Sequence, residues 1–162
     1  MELKQRKQIR LKDFDYSQDG VYFITICTEG RKNILSTIDI NQDLETAKTK
    51  LTPIGLVAEQ ELFALCEKYP NIAIDTYIIM PNHIHILISI LNEKENGKML
   101  QDMVKTYKSM TTKICREKFR TNKIFQRSFY DHIIRNEKDY NNTFSYIETN
   151  PGKWIYDRFY AD

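Results

Sequence analysis

Met80-Pro81-Asn82-His83-Ile84-His85-Ile86-Leu87-Ile88-Ser89 holds the residues most suited to chemistry. Successive side chains of a strand point to opposite faces. His83 and His85 therefore share one face, and Ile84, Ile86, Ile88 and Ile90 share the other. One face is core. The other offers two neutral ring nitrogens, a donor pair that suits a divalent metal. A bare His-x-His on a half-exposed strand also arises with no ligand, so the elements around the pair must decide.

Those elements can be read from pattern. Asp15 to Gly20 is turn material, and the β-branched and aromatic run from Val21 to Thr28 reads as a central strand. Residues 30–51 are polar, with an Asn41-Gln42-Asp43 turn, and read as a small surface hairpin or excursion. Thr52 caps a helix whose first residue is Pro53 and which Pro70 stops. Its stripe is Ile54, Val57, Ala58, Leu62, Leu65, Cys66 and Tyr69.

A strand over 72–80 turns at Pro81-Asn82 into the histidine strand, 83–90, and two strands so closely joined pair antiparallel. After a loop at 92–98, a helix over about 99–119 carries the stripe Leu100, Met103, Val104, Tyr107, Met110 and Ile114. A short strand spans 129–134. Asn136 caps a last helix over about 137–149, which Asn150-Pro151-Gly152 ends.

Strand, helix, strand, strand, helix, strand is the split βαβ order of an α+β, ferredoxin-like antiparallel sheet, here with an extra C-terminal helix. Two helices cover the isoleucine face, so the histidines lie on the open one. The extra helix is the long element left to cover it. Its packing stripe is Tyr140, Thr143, Phe144 and Ile147, with Tyr146 and Asn150, four apart, on the flank.

Composition narrows the class. A chain of 162 residues, 41% hydrophobic, reads as one domain with a basic arm at 1–19, a surface excursion at 30–51 and a tyrosine helix at 136–150. The formal net charge of +2 gives no general pull toward nucleic acid. Cations cluster, however, in the arm (Arg6, Lys7, Arg10) and on the second long helix (Lys105, Lys108, Arg116), where backbone phosphates are candidate partners. Solvated helix faces look the same. Three scattered cysteines, Cys27, Cys66 and Cys115, read as buried thiols of a reducing compartment. No apolar run approaches the ~18 residues of a membrane span, and the expected location is cytoplasmic.

Taken together, these pieces resemble the REP-associated tyrosine transposases, within the HUH (His-hydrophobic-His) single-tyrosine group. The likeness rests on Phe14-Asp15-Tyr16-Ser17-Gln18, on Tyr22 to Thr28, and on Met80 to His85. It continues through Phe125-Gln126-Arg127, Tyr130 to Glu137, Tyr146-Ile147 and Asn150-Pro151, in the family's order over almost the whole chain. The family usually has Trp where this chain has Phe125, a departure that touches packing more than chemistry.

The resemblance implies that His83 and His85 are paired metal ligands, that Tyr146 is the nucleophile, and that Asn150 helps hold the metal. It implies Mg²⁺ or Mn²⁺ as cofactor, with imidazole favouring Mn²⁺. The implied partner is single-stranded or hairpin DNA, cut to a 5′-phosphotyrosine and a free 3′-hydroxyl. A monomer is expected, although insertion-sequence relatives exchange the tyrosine helix between subunits.

With 10 tyrosines in the chain, one beside an apolar stripe is commonly a packing residue, and Tyr130, close to His132, is a rival nucleophile. His132 faces either the metal site or a flipped base, or simply bonds its neighbours. Arg135 either anchors a phosphate or neutralises the helix entry. Two other functions fit parts of the pattern. A non-catalytic ferredoxin-like module would bind single strands on its open face. A histidine-triad hydrolase would need its third histidine at position 87, which is Leu87.

Overall fold

The computed structural model describes residues 20–39, 46–91 and 100–160. In chain order the elements are β1 (Gly20–Cys27), a 3-10 turn (Glu29–Arg31), β2 (Ser36–Ile38), β3 (Thr49–Leu51), α1 (Pro53–Lys68) and β4 (Ile72–Ile79). Then come β5 (His83–Ile90), α2 (Leu100–Phe119), β6 (Tyr130–Ile134), α3 (Glu137–Thr149) and a second 3-10 segment (Pro151–Tyr156). The main sheet runs β4-β5-β1-β6 with every pair antiparallel. This is the ferredoxin-like arrangement, and β2 with β3 makes the small hairpin.

Pattern explains the elements. Thr52 Oγ1 accepts the Gly55 N–H at 3.1 Å, capping α1, with Pro53 in its first turn. Gly55 has no substitute there, because any Cβ would collide with the Leu35 carbonyl. On β1 the residues Tyr22, Ile24 and Ile26 are all buried and lie beside Ile88, Ile86 and Ile84 of β5. Val57, Leu62 and Leu65 of α1 and Met103, Val104 and Tyr107 of α2 close over them as one apolar cluster. Burial of each such side chain contributes roughly 1.5–3 kcal/mol, so this face holds the fold together.

The expected helix stripe slips in one place. Met110 is 40% exposed and Thr111 is buried instead, returning its hydroxyl to the Tyr107 carbonyl at 2.9 Å. A bulge between Ile74 and Thr76 lets β4 carry Asp75 as an extra residue. The strand expected over 72–80 ends at Ile79, and that expected from Phe129 begins at Tyr130. Of the cysteines, Cys27 and Cys115 are buried and Cys66 only half so. Among the described residues, no helix is long and apolar enough to cross a membrane.

The other sheet face carries Phe23, Thr25 and Cys27 on β1, paired with Leu87, His85 and His83 on β5. α3 packs across β4 and β5 on this side, burying Thr143 and Ile147, and Thr76 donates to Glu148 at 3.0 Å.

Candidate active site

The β4–β5 turn fixes the first histidine. Asn82 is 1% exposed, and its Nδ2 donates to the Arg31 carbonyl at 3.2 Å and the Phe159 carbonyl at 2.7 Å. Its Oδ1 therefore faces His83 Nδ1, 2.9 Å away, and can only accept. His83 thus carries its proton on Nδ1 and leaves the Nε2 lone pair free. His85 is held likewise by its cross-strand partner, with Thr25 Oγ1 at 2.7 Å from Nδ1. The two imidazoles are buried with ring centroids 4.5 Å apart.

α3 brings the next two groups. Asn136 Oδ1 caps the helix by accepting the Asp139 N–H at 2.9 Å. One turn apart near its C-terminal end, Tyr146 and Asn150 sit over the histidines. Tyr146 Oη lies 3.5 Å from His85 Nε2, at the outer limit of a hydrogen bond, and its ring meets Phe23 edge-on at 6.0 Å.

Sequence reasoning missed the fifth participant, Asp157. The 3-10 segment after α3 folds back over the site, with Trp154 buried 6.1 Å from the His83 ring. Asp157 Oδ1 accepts the Phe159 N–H at 2.8 Å, and Oδ2 accepts the Asn150 amide at 3.1 Å. Asp157 Oδ2 also lies 3.9 Å from His83 Nε2. Single ligand atoms of His83, His85 and Asp157 fall within 4.8 Å of one another.

Two atoms here have no hydrogen-bond partner: His83 Nε2 and Asn150 Oδ1, both buried. Leaving a buried polar atom unpaired costs about 1–3 kcal/mol, so each calls for a ligand. Two imidazole nitrogens, an amide oxygen and a carboxylate, converging with their other atoms already bonded, fit a divalent cation. A surface histidine pair with no role would be neither buried nor anchored at both Nδ1 atoms.

Electrostatics agree. Burial pushes the His83 pKa down to about 4, partly opposed by the Asp157 carboxylate. His85 is held well below the usual range by burial, then by His83 and Arg158. Both are neutral at pH 7, the form a metal needs. Burial raises the Tyr146 phenol, with Asp157 adding to it and Asn150 and Arg158 opposing. Cys27, beside His83, is pushed up to about 11 by burial and stays a thiol.

The remaining candidates lie apart from this cluster. His132 does share the open face, but its Nε2 bonds the Asp139 carboxylate at 2.9 Å, and the backbone N–H of Arg135 bonds the same oxygen at 3.2 Å. Desolvation pulls the Asp139 carboxyl up, but the Arg135 N–H and the His132 ring together outweigh it and hold the group below its ordinary value. His132 and Arg135 thus brace the start of α3. Tyr130 is exposed beside Phe159 and Arg158. Lys105, Lys108 and Arg116 are on α2, across the sheet from the histidines, and Lys108 donates to the Arg127 carbonyl at 2.9 Å. Arg6, Lys7 and Arg10 fall outside the described residues.

Comparison with known proteins gives the class to which this sheet, histidine pair and helical tyrosine belong. Residues 16–150 match the model of the IS200-like transposases. A Haemophilus influenzae protein provisionally named a REP-associated tyrosine transposase is 30% identical, over 91% of this chain and 84% of its own. An uncharacterized protein of the same organism is 30% identical over 99% of this chain and 96% of its own. Among solved structures, a REP-associated tyrosine transposase bound to a REP hairpin matches with TM-score 0.63 and 20% identity, over 91% of this chain and 74% of that one. A protein of Deinococcus radiodurans described as a transposase matches with TM-score 0.53 and 14% identity, over 86% and 95%. The chain belongs to the IS200-like transposase family and resembles, within it, the REP-associated tyrosine transposases. It is a DNA transposase.

Proposed function

We propose that the chain cleaves and rejoins single-stranded DNA beside a hairpin, through a covalent link to Tyr146 and with a divalent cation, Mg²⁺ or Mn²⁺. The observation that carries the reading is the Tyr146 hydroxyl at 3.5 Å from His85 Nε2, over two orphaned ligand atoms. His83 Nε2, His85 Nε2 and Asn150 Oδ1 would hold the cation, with the Asp157 carboxylate beside them. Bound there, a divalent cation polarises the scissile phosphate.

The chain's own residues do the rest. Thr25 and Asn82 fix the imidazoles, and α3 carries the phenol to the phosphate. Tyr146 Oη bonds to phosphorus as the bond to the 3′-oxygen breaks. The phenol gives up one proton and the leaving 3′-oxygen takes one. The products are a 5′-phosphotyrosine and a free 3′-hydroxyl, so the bond energy is kept for rejoining. Because burial raises the phenol's pKa, Tyr146 is protonated at rest and loses its proton only as it attacks.

Hairpin DNA as substrate is supported by the relatives: one carries the REP-associated name and another was solved on a REP hairpin. α3 returns to its own sheet, so one chain holds every group of the site, and this supports a monomer rather than helix exchange. A purely binding module is disfavoured by the two buried imidazoles, each anchored through its Nδ1.

Incubation with end-labelled DNA hairpins bearing randomised single-stranded flanks tests the reading. The protein is expected to form a covalent DNA adduct with Mn²⁺ or Mg²⁺ and none with a chelator. Tyr146→Phe is expected to fold normally and form no adduct. An adduct that survives Tyr146→Phe rejects Tyr146 as nucleophile.

A further inference from the structure

Beyond the ligand set, two arginines stand at the rim of the same site. Phe159 is buried, with its ring 4.7 Å from that of His83 and 6.2 Å from that of His85. The Arg158 guanidinium lies 4.6 Å from the Phe159 ring centre and 6.0 Å from that of Tyr130. The Arg31 guanidinium lies 5.4 Å from the Phe159 ring centre. Each cation is thus one aromatic ring away from the histidine pair. Both side chains belong to exposed residues, and no carboxylate of the described residues lies within 4 Å of either.

Arg31 is held there by an unusual backbone. It follows Gly30 (φ 63°) with φ 55°, a left-handed conformation that glycine takes freely and arginine does not. Backbone of this kind clusters at functional sites, where the surroundings enforce it. The Arg31 N–H donates to the Thr28 carbonyl at 3.1 Å, and its carbonyl accepts from Asn82, the residue that sets the His83 tautomer. The arginine side chain is therefore placed by the same turn that builds the ligand set.

An incoming phosphodiester is an anion, and two guanidiniums without an ion-pair partner among the described residues stand where it would approach. Guanidinium offers paired N–H donors that match two phosphate oxygens, and stacking on an aromatic face leaves the rim of the fork free to donate. Ring stacking alone does not require both arginines to lack an anion.

We propose that Arg158, assisted by Arg31, grips the non-bridging oxygens of the phosphodiester that Tyr146 attacks. This rests on the transesterase reading and adds its phosphate-holding residues. Arg158 is the principal contact, since it is adjacent in the chain to Asp157 and reaches both Phe159 and Tyr130.

The test uses the full chain, saturating protein and Mn²⁺, and the same pool of labelled hairpins with randomised flanks. Arg158→Ala is expected to slow adduct formation roughly 10- to 100-fold, the size of a lost charge-assisted contact. Arg31→Ala is expected to slow it less, about 3- to 10-fold. Added guanidinium ion should restore part of the Arg158→Ala rate, while Mn²⁺ affinity and melting temperature stay those of the unaltered protein. Arg158→Lys, which keeps the charge and loses the fork, should fall between the two.

An Arg158→Ala rate equal to that of the unaltered protein overturns the proposal and leaves the transesterase reading intact. A slowed rate with weakened Mn²⁺ binding or a lowered melting temperature, or one that guanidinium does not restore, shows a packing role and overturns it as well. If the unaltered protein forms no adduct, the transesterase reading fails and this one fails with it.

Discussion

Alternate residues of the same strands build two unlike faces. Tyr22, Ile24 and Ile26 of β1 turn toward α1 and α2, whereas Phe23, Thr25 and Cys27 turn toward α3. Ile84 and Ile86 are 0% and 1% exposed, and so are His83 and His85. Burial does not separate these four neighbours; polar satisfaction does. On the helix-covered face a buried hydroxyl such as that of Tyr107 donates to the Ala58 carbonyl at 3.0 Å. On the other face His83 Nε2 and Asn150 Oδ1 are left without partners. The first face stabilises the fold, and the second carries buried polar atoms left without partners, at a cost in stability.

Paired substitutions on neighbouring residues of β5 are the strongest way to break that contrast. His85→Ala is expected to lower Mn²⁺ affinity more than ~100-fold, since it removes a ligand outright, beyond the 10- to 100-fold typical of the groups behind one. Ile86→Ala is expected to cost about 2–5 kcal/mol of folding stability and to leave Mn²⁺ affinity of the folded protein unchanged. Calorimetric Mn²⁺ titration and denaturant unfolding read the two. Equal effects on both quantities would erase the distinction between the faces.

Thr25→Val comes next. It keeps the shape and removes the hydroxyl that holds His85 Nδ1, so Mn²⁺ affinity should fall about 10-fold or more while the fold persists. An unchanged titration would show that Thr25 does not orient the ligand.

Acidity sharpens the contrast in another way. His83 has a folded pKa near 4, below the ~6.5 of an unfolded chain, so the unfolded state binds more protons between those values. Stability without metal should therefore be full above about pH 6.5 and fall as pH drops toward 4. Replacing His83 with Gln should reduce the slope of the urea-midpoint profile there, leaving the part that the equally buried His85 contributes. An undiminished slope would assign it to other groups.

The smallest effect is expected at His132→Ala. Its pair with Asp139 is exposed and screened by solvent, so the melting temperature should barely move, with adduct formation unchanged. A large loss of cleavage would return His132 to the active site.

Much of this was legible in advance because it depends on short periods. The alternation of His83-Ile84-His85-Ile86 assigned both faces of β5, Thr52-Pro53 and Asn136 marked helix starts, and the one-turn spacing of Tyr146 and Asn150 put them side by side. Asp157 was not legible. It reaches the site through a 3-10 segment and a turn, which leave no periodic trace, and a lone acid near a chain end looks like any solvated one. Thr25 and Asn82 carried a partial signal, being the strand neighbour and the turn residue of the histidines, but their roles need the cross-strand register. The role of His132 stayed open in the sequence for a related reason: its face was legible, but its bond to Asp139 of the first turn of α3 was not.

The central claim is that a cation bound by the histidine pair meets the Tyr146 phenol, and anomalous scattering from crystals soaked in Mn²⁺ tests it most directly. The account predicts one strong peak within bonding distance of both His83 Nε2 and His85 Nε2, facing Asn150 Oδ1 and adjacent to the Tyr146 hydroxyl. A Mn²⁺ peak away from these residues, or none at the histidine pair at saturating Mn²⁺, would contradict it.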